Sequence, residues 1–251
     1  MIGEDLATIV ATPPGPNSRR LARELREVES RNVTFVSDRF PVFFASGAGA
    51  NLTDVDGNVF VDLSGAFAVA AVGHANPRVA AAIAKQAATL PHGMGDVHPT
   101  AAKIELARTL AALAPGDSPK RVVFASAGAE AVEIAIKTAA IATGKHAVLC
   151  FTGAYHGLTY GALEVTDRAI FRAPFARQLG GFGRRVPYAT CYRCPLELHY
   201  PSCGIECLRL VEEALDSPDG RDVGGILAEP FQGRGGDVFP PEEWLRGLRE
   251  I

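Results

Sequence analysis

Two rhythms of apolar and polar positions run along the chain, one of helical period and one extended. Leu21, Leu25 and Val28 recur between charges and predict a helix over 18–29, after a Pro/Gly-rich loop at 12–17. Val55, Val59 and Val61 flank the turn dipeptide Asp56-Gly57 and predict a β-hairpin over 51–63. After a small-residue stretch at 65–73, Pro77 suits the first position of a helix reaching Leu90. Ile104, Ala107, Leu110 and Ala111 share one face of a helix over 101–114, which Pro115-Gly116 stops. Beyond it, short apolar runs at 121–125, 146–151 and 223–229 predict buried strands. Residues 127–143 and 207–215 predict helices, with Glu133 and Lys137 as an i,i+4 pair and Gly144 as a stop. Residues 173–203 predict irregular structure, and Pro240-Pro-Glu-Glu243 opens a last helix. Strands alternating with helices imply an α/β fold with a mostly parallel sheet covered on both faces.

Composition narrows the classes. The chain has 251 residues, and 25 Lys+Arg against 28 Asp+Glu leave a net charge of −3. With 47% hydrophobic residues this is an ordinary folded chain, not a disordered one. No basic excess exists to neutralise phosphates, so nucleic acid is not an expected partner. The longest apolar run, 65–73, is too short to cross a bilayer, so a membrane is not expected either. The start carries Glu4 and Asp5 where a secretory leader would carry Lys or Arg, which reads as cytoplasmic. Five cysteines, an odd number with four clustered late, do not match a secreted disulfide framework.

Three strand ends carry candidate chemistry. Ser126-Ala-Gly-Ala129 opens a helix with small residues, so backbone N–H groups and the helix dipole could meet an anion; a plain tight turn fits the same residues. Gly153-Ala-Tyr-His-Gly157 sets an aromatic ring and an imidazole at the same sheet edge, where ligands sit in open α/β sheets, or where Tyr155 simply packs on the next helix. Glu229-Pro-Phe-Gln-Gly233, followed by Arg234, sets a carboxylate before a glycine loop, either at a site or in a surface turn.

Taken in order, Ala125-Ser-Ala-Gly-Ala-Glu-Ala131, Gly153-Ala-Tyr-His-Gly157, Glu229-Pro-Phe-Gln-Gly233 and the Pro240-Pro to Leu248-Arg249 segment resemble class III aminotransferases. Asp54-Val-Asp-Gly-Asn58 with Phe60 and Asp62, and Gly73-His-Ala-Asn-Pro77, resemble that family's amino-terminal segment. The resemblance implies a pyridoxal 5'-phosphate enzyme of fold type I. It implies an amino-terminal segment of the small domain over 1–75, with its short hairpin, and an incomplete cofactor-binding large domain over 76–251. Ser126, Gly128, Ala129, Tyr155, His156 and Glu229 would then face the cofactor, with Gly128 and Ala129 donating N–H groups to its phosphate and Tyr155 stacking on its ring. Leu158, Gln232 and Arg234 would face the substrate.

The family's Asp-Glu-Val-Gln strand and its Schiff-base Lys match no position here, since Lys85, Lys103, Lys120, Lys137 and Lys145 stand in helices or at their ends. The chain is therefore expected to resemble the amino-terminal part of such an enzyme and to be inactive alone. A complete enzyme would be a homodimer passing an amino group from an amino acid or amine to a 2-oxo acid. The alternatives are a non-catalytic remnant, or a related aminomutase or decarboxylase. Two departures bear on substrate. Family members acting on ω-amino acids carry Arg where Leu158 stands and Glu where Arg234 stands; with Gly161-Ala-Leu163 and Tyr192-Arg-Cys-Pro195, the chain is closer to diaminobutyrate aminotransferases.

Cys191, Cys194, Cys203 and Cys207 have the spacing C-x2-C-x8-C-x3-C, which can close a tetrahedral zinc site or hold an iron–sulfur cluster. Reduced, unliganded thiols are the default for these four and are the expectation. Cys150 lies in a predicted strand and reads as a small core residue. Arg168, Arg172, Arg177, Arg184 and Arg185 read as a solvated face or a dimer-contact loop, and the scattered histidines 74, 92, 98, 146 and 199 as structural.

Overall fold

The computed structural model describes residues 3, 5–31 and 33–251; Met1, Ile2 and Glu4 of the acidic start lie outside the described residues. The chain divides into two compact units, Met1–Ile104 and Glu105–Ile251.

The first unit holds α1 (Pro16–Val28) and an antiparallel sheet of β1 (Phe44–Ala48), β2 (Asn51–Asp54) and β3 (Val59–Val61), paired in that order. The expected hairpin is β2–β3. Its turn is tied by Asp54, whose carboxylate accepts the Asp56 and Asn58 N–H groups at 2.9 and 2.8 Å and the Asn58 side-chain amide at 2.8 Å. Asn58 is fully buried, and its carbonyl oxygen in turn accepts N–H groups from Val10 and Ala11, both at 2.9 Å. Burying so polar a side chain is tolerable only because it is satisfied. Then comes α2 (Pro77–Thr89), where Asn76 caps the start by accepting from Arg78 and Val79, and Pro77 sits at the first position as expected. The helix α3 (Ala101–Leu113) contains the division between units.

The second unit runs α4 (Gly128–Thr143), β4 (Ala147–Phe151), α5 (Tyr160–Val165), α6 (Ala169–Arg172), β5 (Gly183–Val186), α7 (Cys207–Asp216), β6 (Val223–Ile226) and α8 (Glu242–Glu250). Its sheet has the order β5-β4-β6, with β4 parallel to both neighbours. All five residues of β4 are buried. Alternate side chains enter two cores, as a strand covered on both faces requires. Leu149 and Phe151 join Tyr188, Val211 and Trp244, while Val148 and Cys150 join Val165 and pack on Val132 and Ile136 of α4. At the centre of the first core, Trp244 meets Tyr188 at 4.7 Å and Phe151 at 5.1 Å between ring centroids, both edge-on. Gly144 ends α4 in the left-handed conformation, with φ 68°, a cost that only glycine avoids.

Four expectations are corrected. Residues 121–125 form no strand, and Val123 stays 68% exposed: an apolar run encodes a capacity for burial, but no strand among the described residues pairs with it. The 173–203 stretch, expected to be irregular, contains β5, whose Gly-Arg-Arg-Val sequence has no apolar period because its order comes from backbone pairing to β4. Glu133 and Lys137 form no close ion pair, and the ammonium acts on the carboxylate only from a distance. Glu133 Oε1 accepts from Thr159 Oγ1 and the Gly161 N–H, both at 2.7 Å, and from the Ala162 N–H at 3.3 Å. It thus caps α5 from a neighbouring helix; burial works to raise its pKa, but these hydrogen bonds hold it below the usual range. Arg172 and Arg185 are not a solvated face. Both guanidinium groups donate to the carbonyls of Glu164 and Thr166 and so close the carboxyl end of α5.

The aromatic triad is the anchor of this unit. Trp244→Ala is expected to cost about 3–5 kcal/mol, because a fully buried indole leaves a large cavity. Urea unfolding followed by far-UV circular dichroism checks this, and a loss below about 1 kcal/mol would show that α8 is not part of the cooperative core.

Candidate cofactor site

The site is built at the carboxyl ends of β4 and β6, where α4 begins. The Ala127 N-cap is extended and gives α4 no side-chain cap. Among the described residues no acceptor takes the N–H of Gly128 or Ala129, and nothing lies within 4 Å of where a Cβ on Gly128 would stand. Unpaired N–H groups at the start of a 16-residue helix make a positive cradle. The Ser126 N–H, one residue upstream of the cap, donates to Glu130 Oε2 at 2.8 Å.

Two glycines let the β4 exit loop approach closely. A Cβ on Gly157, where φ is +127°, would stand 2.6 Å from the Ala129 Cβ, so only glycine lets this loop rest on the first turn of α4. A Cβ on Gly153 would stand 2.7 Å from Gln232 Oε1. Gln232 is buried, and its side-chain amide donates to the Thr152 carbonyl at 2.8 Å. The loop is tied further by Asp167, which accepts the Gly153 N–H at 2.8 Å and pairs with Arg185 at 3.4 Å. From the β6 side, Glu229 Oε2 accepts the Tyr155 N–H at 3.1 Å, and the Glu229 carbonyl accepts from Tyr188 Oη at 2.9 Å. Burial raises the Glu229 pKa, against hydrogen bonds from the Tyr155 and Gly233 backbone.

The predicted site residues therefore fall into groups. Ala129, in the turn that also holds Ser126 and Gly128, meets Gly157 of the β4 exit loop, and Tyr155 meets Glu229 and Arg234. The Arg234 guanidinium lies 4.8 Å from the Tyr155 ring centroid, and Phe171 stands edge-on at 5.8 Å. The His156 backbone N–H donates to Thr166 Oγ1 at 2.9 Å, and the ring Nε2 is buried without a partner among the described residues. Leu158 is half exposed. The four cysteines line a separate cavity formed by 189–207 with Pro241. Sequence reading missed Thr166, Asp167 and Tyr188, and gave Glu133 only Lys137 as a partner. Each is a lone polar or aromatic side chain whose partner is distant backbone, and no local spacing marks it. It also left His74 without a partner, whereas Nε2 lies 2.7 Å from Asp62 Oδ2.

The sequence matches the class III aminotransferase family model over residues 34–251. The chain belongs to the class III aminotransferase family. It is 33% identical over 230 residues to the acetylornithine aminotransferase of Methanothermobacter thermautotrophicus, covering 92% of this chain and 52% of that protein. It is 31% identical over 258 residues to the 4-aminobutyrate aminotransferase of Mycobacterium leprae, covering 98% and 55%. The chain spans about half the length of the curated relatives it matches. Among solved structures, an amine transaminase from an uncultivated Pseudomonas species in its PLP-bound form superposes with a TM-score of 0.77 at 28% identity, covering 89% of this chain and 52% of that one. An ω-transaminase from Thermomicrobium roseum superposes with a TM-score of 0.82 over 93% of this chain and 54% of that one, at 24% identity. The fold is accordingly that of the fold type I transaminases, over about half of its extent. Among the described residues no helix is long and apolar enough to cross a membrane.

Burial lowers the His156 pKa from its ordinary 6.5 to about 4. The folded chain thus keeps this imidazole neutral while the unfolded chain protonates it below about 6.5. Its contribution is full above that pH and is lost as pH falls towards 4. Imidazole carbon shifts followed by NMR should include a signal that stays flat between pH 5 and 8 and vanishes in His156→Asn. A midpoint near 6.5 for His156 would mean that its ring is solvated.

Proposed function

We propose that the second unit carries the phosphate-holding part of a pyridoxal 5'-phosphate-dependent enzyme that moves an amino group from an amino acid or amine to a 2-oxo acid. The observation that carries this reading is the open start of α4, set against the exit loop of β4 in a parallel sheet. Family membership supports the cofactor, and the unpaired N–H groups fit a phosphate dianion. Gly128 and Ala129 would donate to the phosphate, with Ser126 beside them. Tyr155 would offer the ring face opposite Arg234, and the Tyr155–Glu229 hydrogen bond fixes that loop. His156 stays neutral and adds no charge. Gln232 acts through position, by holding the Thr152 carbonyl, and Leu158 and Arg234 are left to contact substrate. When bound, the cofactor supplies the electron sink that amino transfer needs.

Gly128→Pro isolates the phosphate contact. Proline suits a first helical position, Ala127 is already extended, and the space beside Gly128 is open, so the helix stays while one N–H is lost. A charge-assisted hydrogen bond is worth about 1.5–3 kcal/mol, so affinity for pyridoxal 5'-phosphate in equilibrium dialysis should fall about ten- to a hundredfold. Affinity for pyridoxal, which has no phosphate, should not change. Equal effects on both, or none on either, would move the phosphate elsewhere.

We also propose that this chain does not hold the cofactor covalently. Lys137 stands nine residues along α4 from Gly128, about 13 Å down the axis, and Lys145 lies past the far end of that helix. The Lys120 ammonium donates to the Gly116 carbonyl. Borohydride treatment of the chain with pyridoxal 5'-phosphate should leave no pyridoxyl-lysine peptide in a digest, and finding one would overturn the reading.

The substrate reading rests on residues 158–163, 192–195 and 234. Leu158 cannot pair with a carboxylate, so 4-aminobutyrate should be a poor donor in the holoenzyme. Leu158→Arg with Arg234→Glu should raise kcat/KM for it by about ten- to a hundredfold, the worth of a bidentate charged pair. A parent enzyme that already prefers 4-aminobutyrate would refute the role given to position 158.

A further inference from the structure

We propose that Cys191, Cys194, Cys203 and Cys207 form a structural zinc site that staples the loop after β5 to the start of α7. The spacing C-x2-C-x8-C-x3-C permits such a site, but spacing alone does not bring four thiols together. The fold does: all four line one cavity of about 20 Å³. That volume holds one atom-sized guest, which suits a single ion and not an iron–sulfur cluster.

The backbone around the cavity comes in two halves. Cys191 opens a one-turn 3-10 helix, Cys191–Arg193, closed by the Arg193 N–H donating to the Thr190 carbonyl at 3.1 Å, and Cys194 follows at its end. This is a tight C-x2-C turn. On the other side, Cys203 lies in a turn where its N–H donates to the His199 carbonyl at 2.9 Å. Cys207 is the first residue of α7, where the helix dipole favours a thiolate. The walls between them include Pro195, Leu196, Leu198 and Ile205, an apolar surround that would shield a metal–thiolate cluster from water.

The thiol chemistry points the same way. None of the five cysteines forms a disulfide. Four soft thiol donors on the walls of one small cavity are donors that a dication would bind together. Among the described residues no three Cys, His, Asp or Glu side chains stand at bonding geometry, so the thiols would turn inward from the cavity wall to reach about 2.3 Å from the ion. Each thiol that ligates gives up its proton to solvent, so binding weakens as pH falls. Glu206 also lines the cavity, but its carboxylate is paired with Arg209.

The site is independent of the cofactor reading, since its ligands bind no part of the α4 cradle. It replaces the expectation of unliganded thiols by one observation, their convergence on a single small cavity.

The test uses the full chain purified under reducing conditions without chelator. Elemental analysis should find about one zinc per chain. Replacement by Co2+ should give the thiolate charge-transfer and ligand-field bands of a tetrahedral all-sulfur site. Zinc should protect the four thiols from alkylation, read by mass spectrometry. Cys203→Ser should weaken Co2+ binding by at least about tenfold, the lower bound for losing even an outer-shell partner. Cys191→Ser, at the exposed thiol, repeats the test should the first variant fail to fold, and Cys150→Ala should bind Co2+ like the parent. Background zinc with no cobalt spectrum would overturn the proposal. So would a two-hydrogen mass loss marking a disulfide among the four in freshly purified protein.

Discussion

The close approach of the β4 exit loop to the first turn of α4 is the contact on which the candidate site depends. It exists because Gly157 has no Cβ to collide with Ala129, and because a strand buried on both faces cannot shift to relieve a clash. Once that loop is fixed, the remaining ties follow from polar groups that burial would otherwise strand. Glu229 takes the Tyr155 N–H, Asp167 takes the Gly153 N–H, and Gln232 takes up the Thr152 carbonyl. Each bond is modest alone, but together they define one position for a loop that would otherwise be mobile. The open N–H groups of Gly128 and Ala129 are then held against a rigid neighbour, the preorganisation that anion binding requires.

Much of this was legible in the residues, for physical reasons. Five consecutive buried positions in β4 read as an apolar run, Gly144 read as a helix stop, and Asp56-Gly57 marked the β2–β3 turn. The small residues opening α4 marked the cradle. What stayed hidden was non-local. β5 carries two arginines and no apolar period, since its order comes from main-chain pairing with β4. Residues 121–125 have the apolar run and lack a pairing partner among the described residues. Glu133 was read along its own helix, where Lys137 is the neighbour, while its real partners are the free N–H groups at the start of α5. Side chains that serve distant backbone leave no periodicity behind.

The cysteines show the same boundary from the other side. Their spacing was plain, and spacing left metal and free thiols both open. Only the fold of 189–207, with α7 beginning at Cys207, turns four positions in a string into four walls of one cavity. A metal there would order a segment whose regular structure amounts to a single 3-10 turn, and this segment borders the Trp244 core through Ile205, Cys207 and Leu208. The unit would then have two supports, an apolar core under β4 and a metal staple beyond β5.

The central claim is that the start of α4 is a phosphate cradle held by the β4 exit loop. Amide chemical shifts of the isotope-labelled chain, followed as inorganic phosphate is added, test it most directly. The account predicts that the amides of Gly128 and Ala129 move first and furthest and that those of 153–157 follow, while the amides of α7 and α8 stay still. Equal small shifts spread over the basic surface, with Gly128 and Ala129 unmoved, would contradict it.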